Sequence, residues 1–159
     1  MKEHPMDIGM NGKRVVVTAG AQGIGLVITG TFVAAGAQVH ICDVNDDFLA
    51  AAKEKFPGVS QSRTDVSNEA QVDAMFAALS DRWGGLDVLV NNAGIAGPTA
   101  KVEDTGLSEW NQTIAVNLTG PFLCTRRAVP LLKAAGGGTS WVPFAYALLG
   151  VQVRRHRAD

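Results

Sequence analysis

The chain has 159 residues, of which 47% are apolar, and this is enough for one globular domain with a sizeable core. Its formal net charge of −1 gives no reason to expect nucleic acid or an anionic membrane surface as a partner. No run approaches the roughly 18 consecutive apolar residues of a membrane span, and the N-terminus lacks the apolar core of a signal peptide. Cys42 and Cys124 lack metal-like spacing, so we expect buried, reduced thiols, no metal site and a cytoplasmic location.

After a loose arm over residues 1–12, apolar runs and helical spacing alternate four times along the chain. They predict strands at 13–18, 38–42, 59–63 and 86–90, and helices at 24–35, 46–56, 68–83 and 109–133. Ser67 and Ser108 are predicted to cap the last two helices, and Gly120–Pro121 to kink the fourth. This alternation is typical of a parallel sheet with helices on both faces, so the predicted fold class is α/β, Rossmann-type. A fifth strand within 141–153 is an open alternative.

The first strand leads into a glycine-rich turn. Val15–Val17 is typical of a strand buried on both faces, and Gly20, Gly23 and Gly25 follow it closely. Glycine lets the backbone approach a ligand, and the helix that begins here offers free N–H groups to a pyrophosphate. The pattern predicts a dinucleotide site, although glycines needed only for a tight turn give the same spacing. The apolar positions that support the helix are Ile24, Val27, Ile28, Phe32 and Ala35.

An aspartate ends the second predicted strand. A carboxylate at Asp43 can accept hydrogen bonds from both adenosine-ribose hydroxyls and would repel a 2′-phosphate. Gln22 and the Val44–Asn45 pair supply no cation for such a phosphate, so the sequence favours NAD over NADP. Taken singly, Asp43 is also compatible with an exposed residue that starts a loop.

Three further motifs follow strands or lie in the long helix. Asp65–Val66 and Asn91–Gly94 come directly after strands, where ligands bind in open α/β sheets. Asn117 lies within the fourth helix, where asparagine is a poor helix former. Taken singly, Asp65 is also compatible with a turn residue, Asn91–Gly94 with a turn that ends a strand, and Asn117 with a solvated helix position.

Together the motifs resemble the short-chain dehydrogenase/reductase family over residues 13–138. Thr18–Gly25 is similar to the family's T-G-x-x-x-G-x-G turn, with Ala19 at the first glycine position. Asp65–Val66 resembles the acidic and aliphatic pair that the family places against adenine, and Asn91–Gly94 matches its N-N-A-G. Asn117 matches the asparagine that helps to hold a proton-relay water.

The resemblance implies a cofactor-binding set and an activity. The implied cofactor-binding residues are Thr18, Gly20, Gln22, Gly23, Ile24, Gly25, Asp43, Asp65, Val66, Asn92, Ala93 and Gly94. The implied reaction is NAD-dependent hydride transfer between an alcohol and a ketone. The implied partners are a small-molecule substrate and a second copy of the chain, bound through the long helix.

The family's catalytic Tyr-x-x-x-Lys pair has no match. Tyr146 is the only tyrosine, and Gly150 stands at the lysine position, so Asn117 is the only retained catalytic residue. We therefore expect an incomplete NAD-binding domain over 13–138, lacking the C-terminal part of the sheet, and a non-family tail over 139–159. The chain alone is expected to be nearly inactive. A non-catalytic NAD-binding or dimerisation module and a fragment without stable function are the alternatives.

The tail is compatible with a change of reading frame. Suitable codons for residues 144–157, read one nucleotide later, encode Tyr-Ser-Ala-Ser-Lys, which contains the missing pair. The bases were chosen among degenerate codons, so the match shows compatibility alone. Our interpretation is that residues from about 139 onward are out of frame, and the alternative is a natural variant with a genuine tail.

Overall fold

The computed structural model of the chain describes residues 9–141, which form a five-stranded parallel sheet with helices. In chain order the elements are β1 (Arg14–Thr18), α1 (Gly23–Ala34), β2 (Gln38–Asp43), α2 (Asp46–Lys55), β3 (Ser60–Arg63), α3 (Glu69–Trp83), β4 (Val88–Val90), a 3-10 turn (Val102–Asp104), α4 (Leu107–Ile114), a π-helical turn (Ala115–Thr119), α5 (Gly120–Ala134) and β5 (Thr139–Trp141). The strand order β3-β2-β1-β4-β5 reverses beside β1, which is where open α/β sheets bind ligands. The predicted fold class is confirmed.

Two apolar clusters form the core, and both draw on the central strands. Val16 and Leu89 pack with side chains of α3 and α5, whereas Val15, Val17 and Ile41 pack with side chains of α1 and α2. Val15–Val17 are fully buried, as a strand covered on both faces requires. The central strand is therefore fixed by burial on both sides, and the turn that follows it starts from a rigid base.

The N-terminus of α3 differs from the prediction. Asn68 caps the helix, because its Oδ1 accepts a hydrogen bond from Gln71 N at 3.1 Å. Ser67 is not the cap: its backbone N–H and its hydroxyl both donate to Asp65 Oδ1. Because the Ser67 hydroxyl already donates to the Asp65 carboxylate, Asn68 caps the helix instead.

The long predicted helix also differs in detail. Its N-cap is Gly106 and not Ser108, and Gly106 N donates to Glu109 Oε2 at 3.2 Å. The helix changes geometry at the π-helical turn Ala115–Thr119, one turn before the predicted kink at Gly120–Pro121. Pro121 lies in the first turn of α5, where a missing N–H is tolerated.

The buried face of α1 was predicted wrongly at two positions. Ile24 and Val27 are 60% and 69% exposed, whereas Gly25 and Thr29 are buried. A Cβ on Gly30 would lie 3.0 Å from Phe56 Cζ. Small residues let this helix approach its neighbours closely, and that approach turns the larger apolar pair toward solvent.

The fifth strand uses the first residues of the predicted tail. Thr139–Trp141 pairs with Val88–Val90 in parallel register, and Ser140 is buried. Tyr146 and Gly150 lie outside the described residues. Within residues 9–141 no helix has the length and apolarity needed to cross a membrane.

Candidate functional site

The turn between β1 and α1 packs too closely for side chains at two of its glycines. A Cβ on Gly25 would collide with the Ala19 carbonyl and lie 2.6 Å from Asn92 Nδ2. A Cβ on Gly20 would lie 2.7 Å from Ile41 Cγ2. Ala19 has a φ of +48°, in the left-handed region that favours glycine. The turn is therefore a tightly folded backbone cradle, with one strained residue at its start.

Hydrogen bonds tie this turn to the end of β4. Thr18 Oγ1 donates to Val90 O at 3.4 Å and accepts from Ala93 N at 3.0 Å. In return, Asn92 Nδ2 donates to the carbonyls of Thr18 and Ala19 at 3.1 and 3.0 Å. Thr18 and Asn92 are buried, so water does not compete strongly for these bonds. The glycine-rich turn and the Asn-Asn-Ala-Gly segment are thus locked together.

A cavity of about 360 Å³ opens where these segments meet the ends of β2 and β3. It is lined by Ala19, Gln22, Asp43, Val44, Thr64, Asp65, Val66, Ala93, Gly94, Ile95, Gln112 and Val116. A second, more open groove of about 500 Å³ runs between the loop after β4 and α4. Ile95 and Gln112 line both spaces, so the two adjoin.

The carboxylate of Asp43 is buried in the wall of this cavity. Its Oδ1 accepts a hydrogen bond from Asn45 N at 3.2 Å. Its Oδ2 is buried and has no hydrogen-bond partner in the part of the chain that the structure describes. A buried acceptor without a donor is costly, so this oxygen is suited to a hydroxyl group supplied by a ligand.

Asp65 is held in place by the start of α3. Its Oδ1 accepts from Ser67 N at 2.9 Å and from the Ser67 hydroxyl at 2.7 Å. Its backbone N–H donates to Gln71 Oε1 at 2.8 Å. Beside it, a Cβ on Gly120 would lie 2.8 Å from Val66 Cγ2, so α5 begins directly against Val66. These contacts fix the acidic and the aliphatic side chain in one wall.

Asn117 lies in the π-helical turn and binds the loop that follows β4. Its Oδ1 accepts from Ile95 N, and its Nδ2 donates to Ile95 O, both at 2.8 Å. One N–H and the oxygen of the side-chain amide are thus both bonded to the backbone of the same residue. Turns of this kind are frequent at functional sites, because they redirect backbone carbonyls. The Asn117 side chain therefore holds the loop at Ile95 in place.

The structure brings together about half of the predicted site residues. Those that line the cavity are Gln22, Asp43, Asp65, Val66, Ala93 and Gly94. The others lie in the adjoining turn or make the hydrogen bonds between that turn and the end of β4: Thr18, Gly20, Gly23, Ile24, Gly25 and Asn92. The described residues contain no group of three His, Cys, Asp or Glu side chains that could hold a metal ion.

Sequence reasoning missed half of the lining. The missed residues are Ala19, Val44, Thr64, Ile95, Gln112 and Val116. Val44 and Thr64 directly flank predicted residues, so their place after a strand was the available signal. Gln112 and Val116 lie four residues apart on the long helix, and their residue types give no indication that they line a cavity.

Comparisons with known proteins agree with this geometry. A profile described as short chain dehydrogenase matches residues 13–139. A short chain dehydrogenase/reductase of Colletotrichum higginsianum is 38% identical over 125 residues, which are 76% of this chain and 47% of that protein. L-fucose dehydrogenase of Bos taurus is 37% identical over 126 residues, which are 79% of this chain and 47% of that protein.

Solved structures give the same result. A metagenomic short-chain oxidoreductase in complex with NADP superposes with a TM-score of 0.79 at 28% identity, over 84% of this chain and 62% of that one. The chain spans about half the length of the two curated relatives named above. Because the matched profile covers β1 to β4, the glycine-rich turn and the long helix, the chain belongs to the short-chain dehydrogenase/reductase family.

Proposed function

We propose that the cavity holds the adenosine part of NAD, and that the chain is the cofactor-binding half of an oxidoreductase that interconverts an alcohol and a ketone. The buried Oδ2 of Asp43, which lacks a donor among the described residues, carries this proposal. When bound, NAD supplies the hydride acceptor. The two ribose hydroxyls are the donors that this carboxylate needs.

Other residues of the cavity fit the remaining parts of the cofactor. The closely packed turn at Gly20 and Gly25 lets a pyrophosphate approach the N-terminus of α1, whose free N–H groups favour an anion. Val66 and Val116 are the apolar side chains suited to the faces of an adenine. Asp65 and Gln112 supply polar atoms at its edge.

The preference for NAD over NADP rests on charge. A solved short-chain oxidoreductase of similar fold is in complex with NADP, so the fold alone does not exclude a 2′-phosphate. In this chain, the cavity has two carboxylates, Asp43 and Asp65, and no Lys or Arg among its described lining residues. A 2′-phosphate placed there would meet like charge without a compensating cation.

Turnover by the chain alone is proposed to be close to background. The sequence has no Tyr-x-x-x-Lys pair, and the loss of a general acid commonly costs about 100- to 10,000-fold in rate. Asn117 keeps a positioning task, because its amide fixes the loop at Ile95 beside the cavity. The substrate of the whole protein is a small alcohol or ketone of unspecified structure.

Calorimetric titration of the full chain with NAD tests the proposal. We expect saturable binding, and weakening by about tenfold or more in Asp43→Asn, because a charged hydrogen bond becomes neutral. The matched control is Asp47→Asn, which removes the same charge from an exposed position on α2 and should leave the affinity unchanged. Equal weakening in both variants, or no heat with NAD, refutes the proposed site. Formation of NADH from a simple secondary alcohol would contradict the predicted inactivity.

An apolar stripe on the long helix favours a second candidate function, a dimerisation module. Leu107, Trp110, Leu118 and Phe122 are 73%, 56%, 41% and 47% exposed, and they follow one another along α4, the π-helical turn and α5. Exposed apolar residues grouped in this way are typical of protein interfaces. A second copy of the chain is the proposed partner.

Sedimentation velocity distinguishes this candidate. We expect a dimer. Its dissociation constant should rise at least tenfold in Trp110→Glu, because a charge would be buried at the interface. Val102→Glu is the control, since Val102 is 87% exposed and lies before α4. A monomeric wild-type chain excludes the module. A chain that neither binds NAD nor stays in solution supports the remaining alternative, a fragment without stable function.

A further inference from the structure

A chain of hydrogen-bonding side chains leads from the middle of β2 to the cavity. His40 Nδ1 lies 3.0 Å from Ser60 Oγ, and His40 Nε2 lies 3.1 Å from Ser62 Oγ. Ser62 Oγ in turn lies 2.9 Å from Thr64 Oγ1, and Thr64 lines the cavity. At the far end, the Ser60 hydroxyl donates to Val39 O at 3.4 Å. None of these side chains was singled out by the sequence motifs.

The imidazole in the middle of this chain is neutral. His40 is 6% exposed, and burial, with the Arg82 charge on α3, lowers the pKa of His40 to about 4. A neutral imidazole has one N–H and one acceptor nitrogen. The hydrogen bonds that link Thr64, Ser62, His40 and Ser60 must therefore all point in the same direction. Only two directions are possible.

In one direction, every donated proton has an acceptor. The Thr64 hydroxyl donates to Ser62, and the Ser62 hydroxyl donates to His40 Nε2. His40 Nδ1–H then donates to Ser60, whose hydroxyl donates to Val39 O.

The reverse direction breaks this balance. The Ser60 hydroxyl would then donate to His40 Nδ1, and its bond to Val39 O would be lost. The first direction makes one more hydrogen bond among the described residues, so it is favoured in the protein without ligand.

We propose that the His40–Ser62–Thr64 chain fixes the Thr64 hydroxyl as a hydrogen-bond acceptor toward the cavity, which makes Thr64 a specificity-determining residue for ligand groups that carry N–H or O–H donors. This inference rests on the proposed function. Asp43, whose buried Oδ2 has no donor among the described residues, also lines this cavity, and Asp65 adds a second carboxylate. The lining at this end therefore favours the donors of adenosine, which are its ribose hydroxyls and its exocyclic amine. Groups that only accept are disfavoured.

A ligand that presents only an acceptor at Thr64 costs one internal hydrogen bond. Either the Thr64 hydroxyl turns its proton away from Ser62, or all the bonds reverse and the bond to Val39 O is lost. The loss of one neutral hydrogen bond corresponds to about three- to tenfold in affinity. Two probes present such acceptors: NADP replaces a ribose hydroxyl by a phosphate, and nicotinamide hypoxanthine dinucleotide replaces the exocyclic amine by a carbonyl. Each probe reports on one donor of adenosine.

The first test is spectroscopic and needs no cofactor. In the full ¹⁵N-labelled chain at pH 7, two-bond ring correlations should show His40 protonated on Nδ1 and unprotonated on Nε2. The chain has three histidines, so a His40→Gln variant assigns the signal. A ring protonated on Nε2 overturns the inference, whatever the outcome for NAD.

The second test compares affinities for NAD and the two probes. In Ser62→Ala the Thr64 hydroxyl is released and can donate to the ligand, so the preference for NAD over at least one probe should fall about three- to tenfold. Thr125→Val removes a part-buried hydroxyl that accepts a hydrogen bond from Asn91 and takes no part in the His40–Ser62–Thr64 hydrogen bonds. It should leave the preference for NAD over both probes unchanged. Unchanged preferences in Ser62→Ala overturn the inference.

A second variant covers poor folding of Ser62→Ala. Thr64→Val keeps the side-chain volume and leaves the Ser62–His40 bond in place, so the ring should stay protonated on Nδ1 while the preference falls. Retention of the full preference in Thr64→Val also overturns the inference. Failure of the wild-type chain to bind NAD overturns the proposed function and with it the specificity, whereas a wrong His40 tautomer overturns the hydroxyl assignment alone.

Discussion

Replacing Gly25 by alanine tests how the glycine-rich turn is built. An exposed helix position would gain about 1 kcal/mol from this change, because alanine is the better helix former. At Gly25 the added Cβ meets the Ala19 carbonyl and lies 2.6 Å from Asn92 Nδ2. Neither neighbour is the free end of a flexible side chain, because Asn92 Nδ2 already donates to Ala19 O. Overpacking costs about 1–3 kcal/mol, and contacts this close belong at the upper end, so after the helix gain we expect a net loss of about 2 kcal/mol.

Two other glycines provide matched controls. Gly23 has open space around its Cβ position but a φ of +52°, so Gly23→Ala should cost about 1–2 kcal/mol through backbone strain alone. Gly58 has open space and no such φ, so Gly58→Ala should stay within about 0.5 kcal/mol of the wild type. Urea unfolding followed by circular dichroism gives all three values. For a domain of this size, 2 kcal/mol corresponds to about 6 °C in melting temperature.

The ranking of the three variants decides the question. Destabilisation should be largest in Gly25→Ala, intermediate in Gly23→Ala and absent in Gly58→Ala. A Gly25→Ala chain as stable as the wild type would refute the reasoning, because helix propensity and not backbone packing would then control the site. The same variant should also lose NAD binding, since the collision displaces the backbone that approaches the pyrophosphate.

Three further predictions concern strain, pH and the coding sequence. Ala19→Gly should raise the free energy of unfolding by about 0.5–1 kcal/mol in urea titrations, because relief of a left-handed alanine exceeds the added chain entropy. Unfolding free energy should fall by about 3 kcal/mol between pH 6.5 and 4, because the unfolded chain takes up a proton there while buried His40, whose pKa is about 4, does not. Sequencing the coding DNA should reveal Tyr-Ser-Ala-Ser-Lys in the +1 frame opposite residues 144–157.

Each of these has a decisive contrary result. A lower urea midpoint in Ala19→Gly would mean that the positive φ at Ala19 is not strained. A His40→Gln chain that keeps the full loss of stability between pH 6.5 and 4 would assign that loss to other groups. A +1 frame without the tyrosine and lysine pair would leave the tail as a genuine variant.

The parts of the fold that follow from local patterns were predictable from the sequence. Burial of Val15–Val17 on both faces follows from an uninterrupted β-branched run. The placement of Asp43, Asp65 and Asn91–Gly94 around one space follows from parallel strands, whose carboxyl ends meet at one edge. The position of the cavity therefore follows from this rule, whereas the order of the strands came from the structure.

Features that depend on competition between neighbours were not predictable. Ser67 has the right residue type for a cap, but its hydroxyl bonds Asp65, and Asn68 caps α3 instead. Ile24 and Val27 fit an apolar stripe, but the close approach of α1 through Gly25 sets its rotation. The role inferred for Thr64 depends on hydrogen-bond direction through His40, which no spacing rule encodes.

The two cysteines give this chain a built-in reporter of core opening. Cys42 and Cys124 are both fully buried in the apolar cluster that joins the sheet to α3 and α5. Burial raises the pKa of Cys42 to about 12 and that of Cys124 further, so neither thiol ionises at neutral pH in the folded chain. Alkylating reagents attack the thiolate, and both sites become reactive only when the cluster separates. The labelling rate in water therefore measures how often this half of the core opens, without added dyes or denaturant.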